Sequence, residues 1–302
     1  MRLRLALAAA AAAFAALPAA ASAIPVTTTA DSGPGSLRDA VAAGGTVGFD
    51  PGLGPIQLTS PITATSRVDI ADAEGDVTVQ RSGGGFSPLL EFAGGSGNSS
   101  LAGVNLTNPS GTGVQVDSGV TGVRIERSPI FNVATPIDLV GTGNGGIAAP
   151  TGLRVGPRQA NGTLPVSGNV ASGSRVDVYG GDPAGAAATK FLGAATPSGG
   201  SFSLVPSPEP APGTRVGATV TGAGTSEYAT AAVPSDVTSP TIKSAFAFSS
   251  NEVIVMPSEP LAGGSLNLSD FSLFMAGSAR SITSGAVAPD GSRVYLLSSQ
   301  PW

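Results

Sequence analysis

Eight short triplets between Ile56 and Leu139 read apolar, polar, apolar, and they return at a nearly fixed interval. They are Ile56-Gln57-Leu58, Val68-Asp69-Ile70, Val77-Thr78-Val79, Leu90-Glu91-Phe92, Val104-Asn105-Leu106, Val114-Gln115-Val116, Val123-Arg124-Ile125 and Ile137-Asp138-Leu139. In a strand of period two the outer residues turn inward and the middle one faces water. Glu91 to Gln115 is 24 residues, Gln115 to Asp138 is 23, and Asn105 to Arg124 is 19. Strands recurring every 19 to 24 residues predict a parallel β-helix over residues 24–146, with one coil per repeat and three or four coils in all. An immunoglobulin-type sandwich also alternates over short strands, but its hairpins impose no stable period near 22 residues.

Composition narrows the chemistry before any motif is read. The 43 Gly and 25 Pro among 302 residues fall short of the roughly 25 to 30 percent at which low-complexity disorder becomes the better reading. Only 5% of residues are aromatic, so the core must come mainly from Val, Leu, Ile and Ala, which suits many short strands. The absence of histidine excludes Ser-His-Asp triads, Cys-His pairs and His-ligated zinc. With no cysteine there is no thiol chemistry, no disulfide, no iron–sulfur cluster and no lipidated anchor. The formal net charge is −5, and the leader takes away Arg2 and Arg4 but no acid. Nucleic acid and anionic membrane are therefore poor partners. That leader has Arg2 and Arg4, an apolar stretch from Leu5 to Leu17, and Ala-Ser-Ala at 21 to 23. It reads as a signal peptide over residues 1–23, since such a stretch is too short to span a bilayer. The protein is expected to be secreted or held at the cell surface, with no membrane insertion after cleavage.

The first coil of a solenoid exposes its apolar interior and needs a lid. In Gly35-Ser36-Leu37-Arg38-Asp39-Ala40-Val41, Ser36 can cap a short helix over 36–43 with Asp39 at its third position, a capping-box-like pair. Leu37, Ala40 and Val41 then share one face. This helix is expected to cover the core ahead of a first strand, Val47-Gly48-Phe49.

The run VTTTADSGPGSLRDAV followed by TVGFDPGLGPIQLTSPI resembles the opening of secreted bacterial right-handed parallel β-helix proteins of the pectate-lyase-like fold. In these a T-x-D-x-G-x-G-S-L-R-x-A-I cap precedes an I-x-F strand and an I-x-L strand. Thr29, Asp31, Gly33, Gly35, Ser36, Leu37, Arg38, Ala40 and Val41 stand in those places, Val41 for Ile. The resemblance implies fold and export but little chemistry, and enzymes of this fold usually carry more coils.

From residue 147 to about 233 the strands lengthen: LPVSGNV, SRVDVYGG, KFLGAAT, GSFSLVP, TRVGATVTG and SEYATAAV are separated by turn residues. A single antiparallel β-sandwich is the reading. The stretch resembles the Ig-like module that follows the β-helix in the same secreted family, on Gly200, Phe202, Val216, Ala218, Thr219, Thr221, Gly224, Thr225, Ser226, Glu227 and Tyr228. Gly222-Ala223 replaces the usual Asp there, which argues against a calcium site. After a linker, residues 236–302 resemble bacterial Ig-like adhesin modules on Asp236, Thr238, Pro240, Val253, Val255, Ser258, Glu259 and Pro260. They supply too few strands for a sandwich, so a truncated Ig-like unit is expected. The fold class is therefore all-β: a short right-handed parallel β-helix with a cap helix, an Ig-like sandwich and a partial second one.

Glu91 and Asp138 are the best acid and base candidates, with Gln115 between them. Two coils at about 4.8 Å each put the carboxylates at the upper edge of the roughly 6.5 to 9.5 Å expected for an inverting glycosidase. Outward middle residues are also polar simply to face water. Asp69, Asp72, Glu74 and Asp76 form the densest acidic run; its spacing lacks the order of a calcium motif and suits a solvated turn. No metal, cofactor or catalytic residue is assigned. The expected function is non-enzymatic, a secreted or surface protein for adhesion, glycan binding or structural display. The ligand-facing residues are Gln57, Thr78, Glu91, Gln115, Arg124 and Asp138, and the partner is an extracellular glycan or cell-surface polymer. The alternative is a polysaccharide lyase or glycoside hydrolase acting on acidic polysaccharide. Protein recovered from culture medium is expected to start at Ile24 on N-terminal sequencing; a sequence that starts at Met1 would refute the leader.

Overall fold

The structure, a computed structural model, describes residues 23–301 apart from 84, 86, 110, 158–162, 172, 182–188, 235–239, 259, 260, 262–265, 276 and 277. The leader up to residue 22, and Asp236, Thr238, Glu259 and Pro260 of the last resemblance, lie outside the described residues. One compact unit holds the chain up to Val155 together with Val166–Val233, and a second holds Gly156–Pro165 with the chain from Pro234 onward.

The first unit begins as a β-solenoid of about five turns. Strand β1 (Ile24–Val26) and helix α1 (Leu37–Ala43) precede β2 (Gly45–Phe49), β3 (Ile56–Leu58) and β4 (Ile62–Ala64). Three coils follow: β5 (Val68–Ala71), β6 (Thr78–Arg81) and β7 (Leu90–Phe92), then β8 (Ser100–Ala102), β9 (Asn105–Thr107) and β10 (Thr112–Val116), then β11 (Arg124–Glu126), β12 (Ile130–Phe131) and β13 (Thr135–Leu139). They stack into three parallel sheets, β1-β2-β5-β8-β11, β3-β6-β9-β12 and β4-β7-β10-β13. All eight triplets turn their outer residues inward, only Leu139 being half-buried, and leave the middle residue at the surface.

The coil count exceeds the three or four expected, because several strands carry no full apolar-polar-apolar signature. Ser100-Leu101-Ala102 buries only its central Leu101, and β12 is two residues long. The chain also forms β1 ahead of the cap helix, so Val47 lies in the second strand of its sheet rather than the first. Proline at position 25 is compatible with this, since β1 is an edge strand.

The lid forms as the sequence implies. Leu37, Ala40 and Val41 are buried in the solenoid core, and the helix packs on β1, β2 and β4. Ser36 Oγ accepts from the Asp39 backbone N–H at 3.2 Å, which is half of a capping box; the Ser36 N–H goes to the Gly33 carbonyl at 3.0 Å instead. Arg38 fastens the lid. Its guanidinium donates to the Asp31 carboxylate at 2.7 Å and to the carbonyls of Asp31, Ser60 and Pro61. Asp31 also accepts from the Thr59 hydroxyl at 2.8 Å. Burial pushes the Asp31 carboxyl up, but the hydrogen bonds from Arg38 and Thr59 together outweigh it and hold the group below its ordinary value of 3.8.

Beyond the last coil the chain builds two antiparallel sheets. Strands β14 (Thr151–Val155), β15 (Val166–Asn169), β16 (Arg175–Gly180), β17 (Lys190–Ala195), β18 (Ser201–Leu204), β19 (Arg215–Thr221) and β20 (Ala229–Ala232) form them in the orders β14-β15-β18 and β17-β16-β19-β20. Six of the seven fall on the runs read from the sequence, and β14 is additional. In the second unit β21 (Ile242–Ala247), β22 (Glu252–Pro257), β23 (Leu273–Met275), β24 (Ser278–Arg280), β25 (Ile282–Val287) and β26 (Val294–Ser298) give a sheet β21-β22-β26-β25 and a hairpin β23-β24. Its core is Val253, Val255, Val294 and Leu296.

The antiparallel module closes the far end of the solenoid through one tetrapeptide, Thr225-Ser226-Glu227-Tyr228. The Thr225 N–H donates to the Val123 carbonyl at 2.9 Å, and the Ile125 N–H donates to the Thr225 hydroxyl at 2.8 Å. These are the two bonds that a residue of a further coil would make opposite Arg124. Glu227 accepts from the Leu139 N–H at the end of β13, and the Tyr228 hydroxyl donates to the Ser128 carbonyl just ahead of β12. Two of the three parallel sheets thus meet the tetrapeptide, and Tyr228 holds the turn that leads into the third. Asn144 completes the closure by accepting from the Val123 N–H and donating to the Val123 and Thr225 carbonyls. Gly224 is required beside it, since a Cβ there would stand 2.5 Å from the Asn144 side chain.

Replacing Leu37 and Val41 together with Asp is expected to open the core and aggregate the protein, whereas a soluble double variant with an unchanged melting temperature would disprove the lid. The Asp31 contribution to stability should be complete above about pH 4 and be lost as pH falls through its lowered folded value. In Asp31→Asn that part of the acid dependence should vanish from melting curves. Thr225→Val keeps the shape but strands a buried N–H and carbonyl of Ile125, so it should cost about 1–3 kcal/mol in chemical denaturation.

Candidate functional site

A solenoid with three sheets has three outward polar faces, and the six residues expected to form one ladder are divided among them. Glu91, Gln115 and Asp138 do stack in register on one sheet, Glu91 opposite Gln115 and Gln115 opposite Asp138. Thr63 extends the row opposite Glu91. Gln57 and Thr78 lie on the second sheet, but Gln57 pairs with Gln80 and Thr78 with Asn105, so neither stands above the other. Arg124 lies on the remaining sheet in the row Thr46, Asp69, Ser100, Arg124. The 19-residue interval from Asn105 to Arg124 therefore joins two different sheets and is not a coil repeat. The intervals of 24 and 23 residues along Glu91, Gln115 and Asp138 are true coil repeats.

The Glu91 row is hydrogen-bonded from Thr63 to Gln115. The Thr63 hydroxyl donates to one Glu91 oxygen at 2.7 Å and the Gln115 amide to the other at 3.3 Å. The same amide donates to Asp117 at 2.8 Å. Gln115 thus occupies the coil between the two candidate carboxylates and is tied to Glu91 of the preceding coil and to Asp117 of its own. At about 4.8 Å per coil, Glu91 and Asp138 stand about 9.6 Å apart. The row presents a strip of carbonyl and carboxylate acceptors to solvent.

On the Arg124 face a groove of about 360 Å³ is lined by Arg67, Asp69, Asn98, Ser100 and Arg124 among others. Asp69 is already engaged there, accepting from Arg67 at 2.9 Å and from the Ser100 hydroxyl at 2.9 Å. Its neighbour in the acidic run, Asp72, is buried and accepts from the Glu74 and Val77 N–H groups, which closes the turn between β5 and β6. Among the described residues no three Asp or Glu side chains are grouped to hold a metal ion.

Sequence reasoning missed the polar seam between the last coil and the antiparallel module. Asp177 is 1% exposed although alternation along SRVDVYGG would turn it to water. Its carboxylate accepts from the Arg127 N–H at 2.7 Å, from the Arg175 side chain at 2.6 Å and from the Tyr179 hydroxyl at 3.4 Å. Arg175 also lies 3.7 Å from Glu126. Burial pushes the Asp177 carboxyl up, and the Arg127 N–H and the Arg175 cation pull it only partly back. Tyr179 and Tyr228 pack with ring centroids 5.3 Å apart, and burial raises both phenols. Continuous burial from Val176 to Gly180 is the signature of a strand covered on both faces, but only the fold shows that the solenoid end supplies the second cover.

Comparison of the chain with protein-family models, with curated proteins and with solved structures returned no match in any of the three.

Proposed function

We propose that the protein is a secreted or cell-surface display protein that binds an extracellular glycan and catalyses nothing. In this reading the solenoid is a right-handed parallel β-helix and the antiparallel sheets are Ig-like modules that add reach. The observation that carries it is the Thr63, Glu91, Gln115, Asp138 row, in register along the solenoid and hydrogen-bonded from Thr63 to Gln115. Sugar hydroxyls are donors, and such a row offers acceptors at the spacing of the coils. The same geometry weighs against a retaining glycosidase. A retaining pair of carboxylates needs about 5 Å and a place for the nucleophile, and here Gln115 fills the intermediate coil. Affinity for one row should be weak and become useful when many copies share a surface.

The experiment is to incubate the protein with neutral and acidic plant and bacterial polysaccharides, with and without calcium, following binding, unsaturated-product absorbance and reducing ends. Binding without turnover, weakened by Gln115→Ala, is the expected result. Turnover that disappears in Glu91→Gln or Asp138→Asn would make the protein a polysaccharide lyase or hydrolase instead.

A further inference from the structure

Arg127 is the odd residue among the turns of the solenoid. Four described non-glycine residues have φ in the left-handed region, and three of them, Asn98, Asn132 and Asn144, are asparagines. The short asparagine amide is at home there, whereas an arginine gains nothing from that backbone. Arg127, at φ 51, is held in place through its N–H by the buried Asp177 carboxylate, while its side chain is exposed. An asparagine would serve the turn better. The guanidinium is what distinguishes the residue that is there.

Arg127 lines a cleft of about 440 Å³ between the solenoid and β17. Asp72, Glu74, Asn105 and Arg127 line it from the solenoid, and Lys190 and Phe191 from β17. The volume falls in the range of small-molecule sites, which favour the junctions between modules. None of the ion pairs among the described residues uses Arg127 or Lys190. Two cations therefore line one cleft without a direct ion pair among the described residues, although the acids Asp72 and Glu74 share the lining. The Asp72 carboxylate has both oxygens committed to backbone N–H groups, which leaves Glu74 as the accessible carboxylate. Phe191 is half-buried and fixed edge-on against Tyr179, with centroids 5.7 Å apart, so its ring is a rigid apolar wall.

We propose that this cleft binds a single anionic sugar unit, its carboxylate or phosphate taken by Arg127 and Lys190 and its ring laid against Phe191. A guanidinium fork suits either oxyanion, and the ammonium adds a second charge-assisted donor. The exposed Glu74 carboxylate accepts sugar hydroxyls at the same rim. The site is separate from the acceptor row of Glu91, Gln115 and Asp138, and it stands whether or not that row binds glycan.

The test is calorimetric titration of the full chain with trigalacturonate, with glucose 1-phosphate and with neutral maltotriose. At least one of the two anions should bind, more weakly as salt is raised to about 0.5 M, and maltotriose should not compete. Arg127→Asn retains a residue suited to the turn, and Lys190→Gln changes an exposed residue of an edge strand. Each should weaken anion binding about tenfold or more with an unchanged melting temperature. Binding of only the uronide or only the phosphate supports the site and identifies the oxyanion. The proposal is overturned by equal binding of maltotriose, by full affinity in Lys190→Gln, or by no binding of either anion at about 10 mM.

Discussion

Thr225 gives the last coil the backbone partner that a further coil would have supplied, and the rest of the first unit is arranged around that substitution. A parallel solenoid leaves a row of unpaired N–H and carbonyl groups and an open apolar core at each end. At the start, α1 covers the core through Leu37, Ala40 and Val41, and Arg38 fastens the lid to Asp31, Ser60 and Pro61. The far end is closed differently. A residue of the antiparallel module enters the ladder itself, with its N–H on Val123 and its hydroxyl standing in for the next carbonyl opposite Ile125.

That choice has a cost at the seam. Covering the end of a solenoid with a sheet buries strand β16 on both faces, so Asp177 and Tyr179, outward by alternation, are taken from water. A buried carboxylate is tolerable only with full hydrogen bonding, and Asp177 has the Arg127 N–H, the Arg175 side chain and the Tyr179 hydroxyl. The same bond holds Arg127 in its left-handed turn beside the cleft that this residue helps to line.

The faces of the solenoid have a simpler logic. Each outward residue finds its vertical neighbours through the register, whatever the length of the coil between them. Glu91, Gln115 and Asp138 are such neighbours. Gln57, Thr78 and Arg124 are not, because they belong to other sheets or to other rows.

Much of this was written locally. Alternation over three residues fixes which side chains face inward, and the Ser36-to-Asp39 start of α1 depends on neighbours three residues apart, so the coils and their lid were legible from the sequence alone. So was the Glu91 row, whose coils repeat at 24 and 23 residues. The number of coils and the sheet each strand joins were not, since β8 and β12 show no full apolar triplet, and turns between strands vary in length at little entropic cost. Nor could alternation reveal that Thr225, Glu227 and Tyr228 all bond to the last coil, or that Asp177 is buried. Those roles belong to residues about 50 to 100 positions from their partners in the chain, and only the packing of one module on the end of another brings such groups within hydrogen-bond reach.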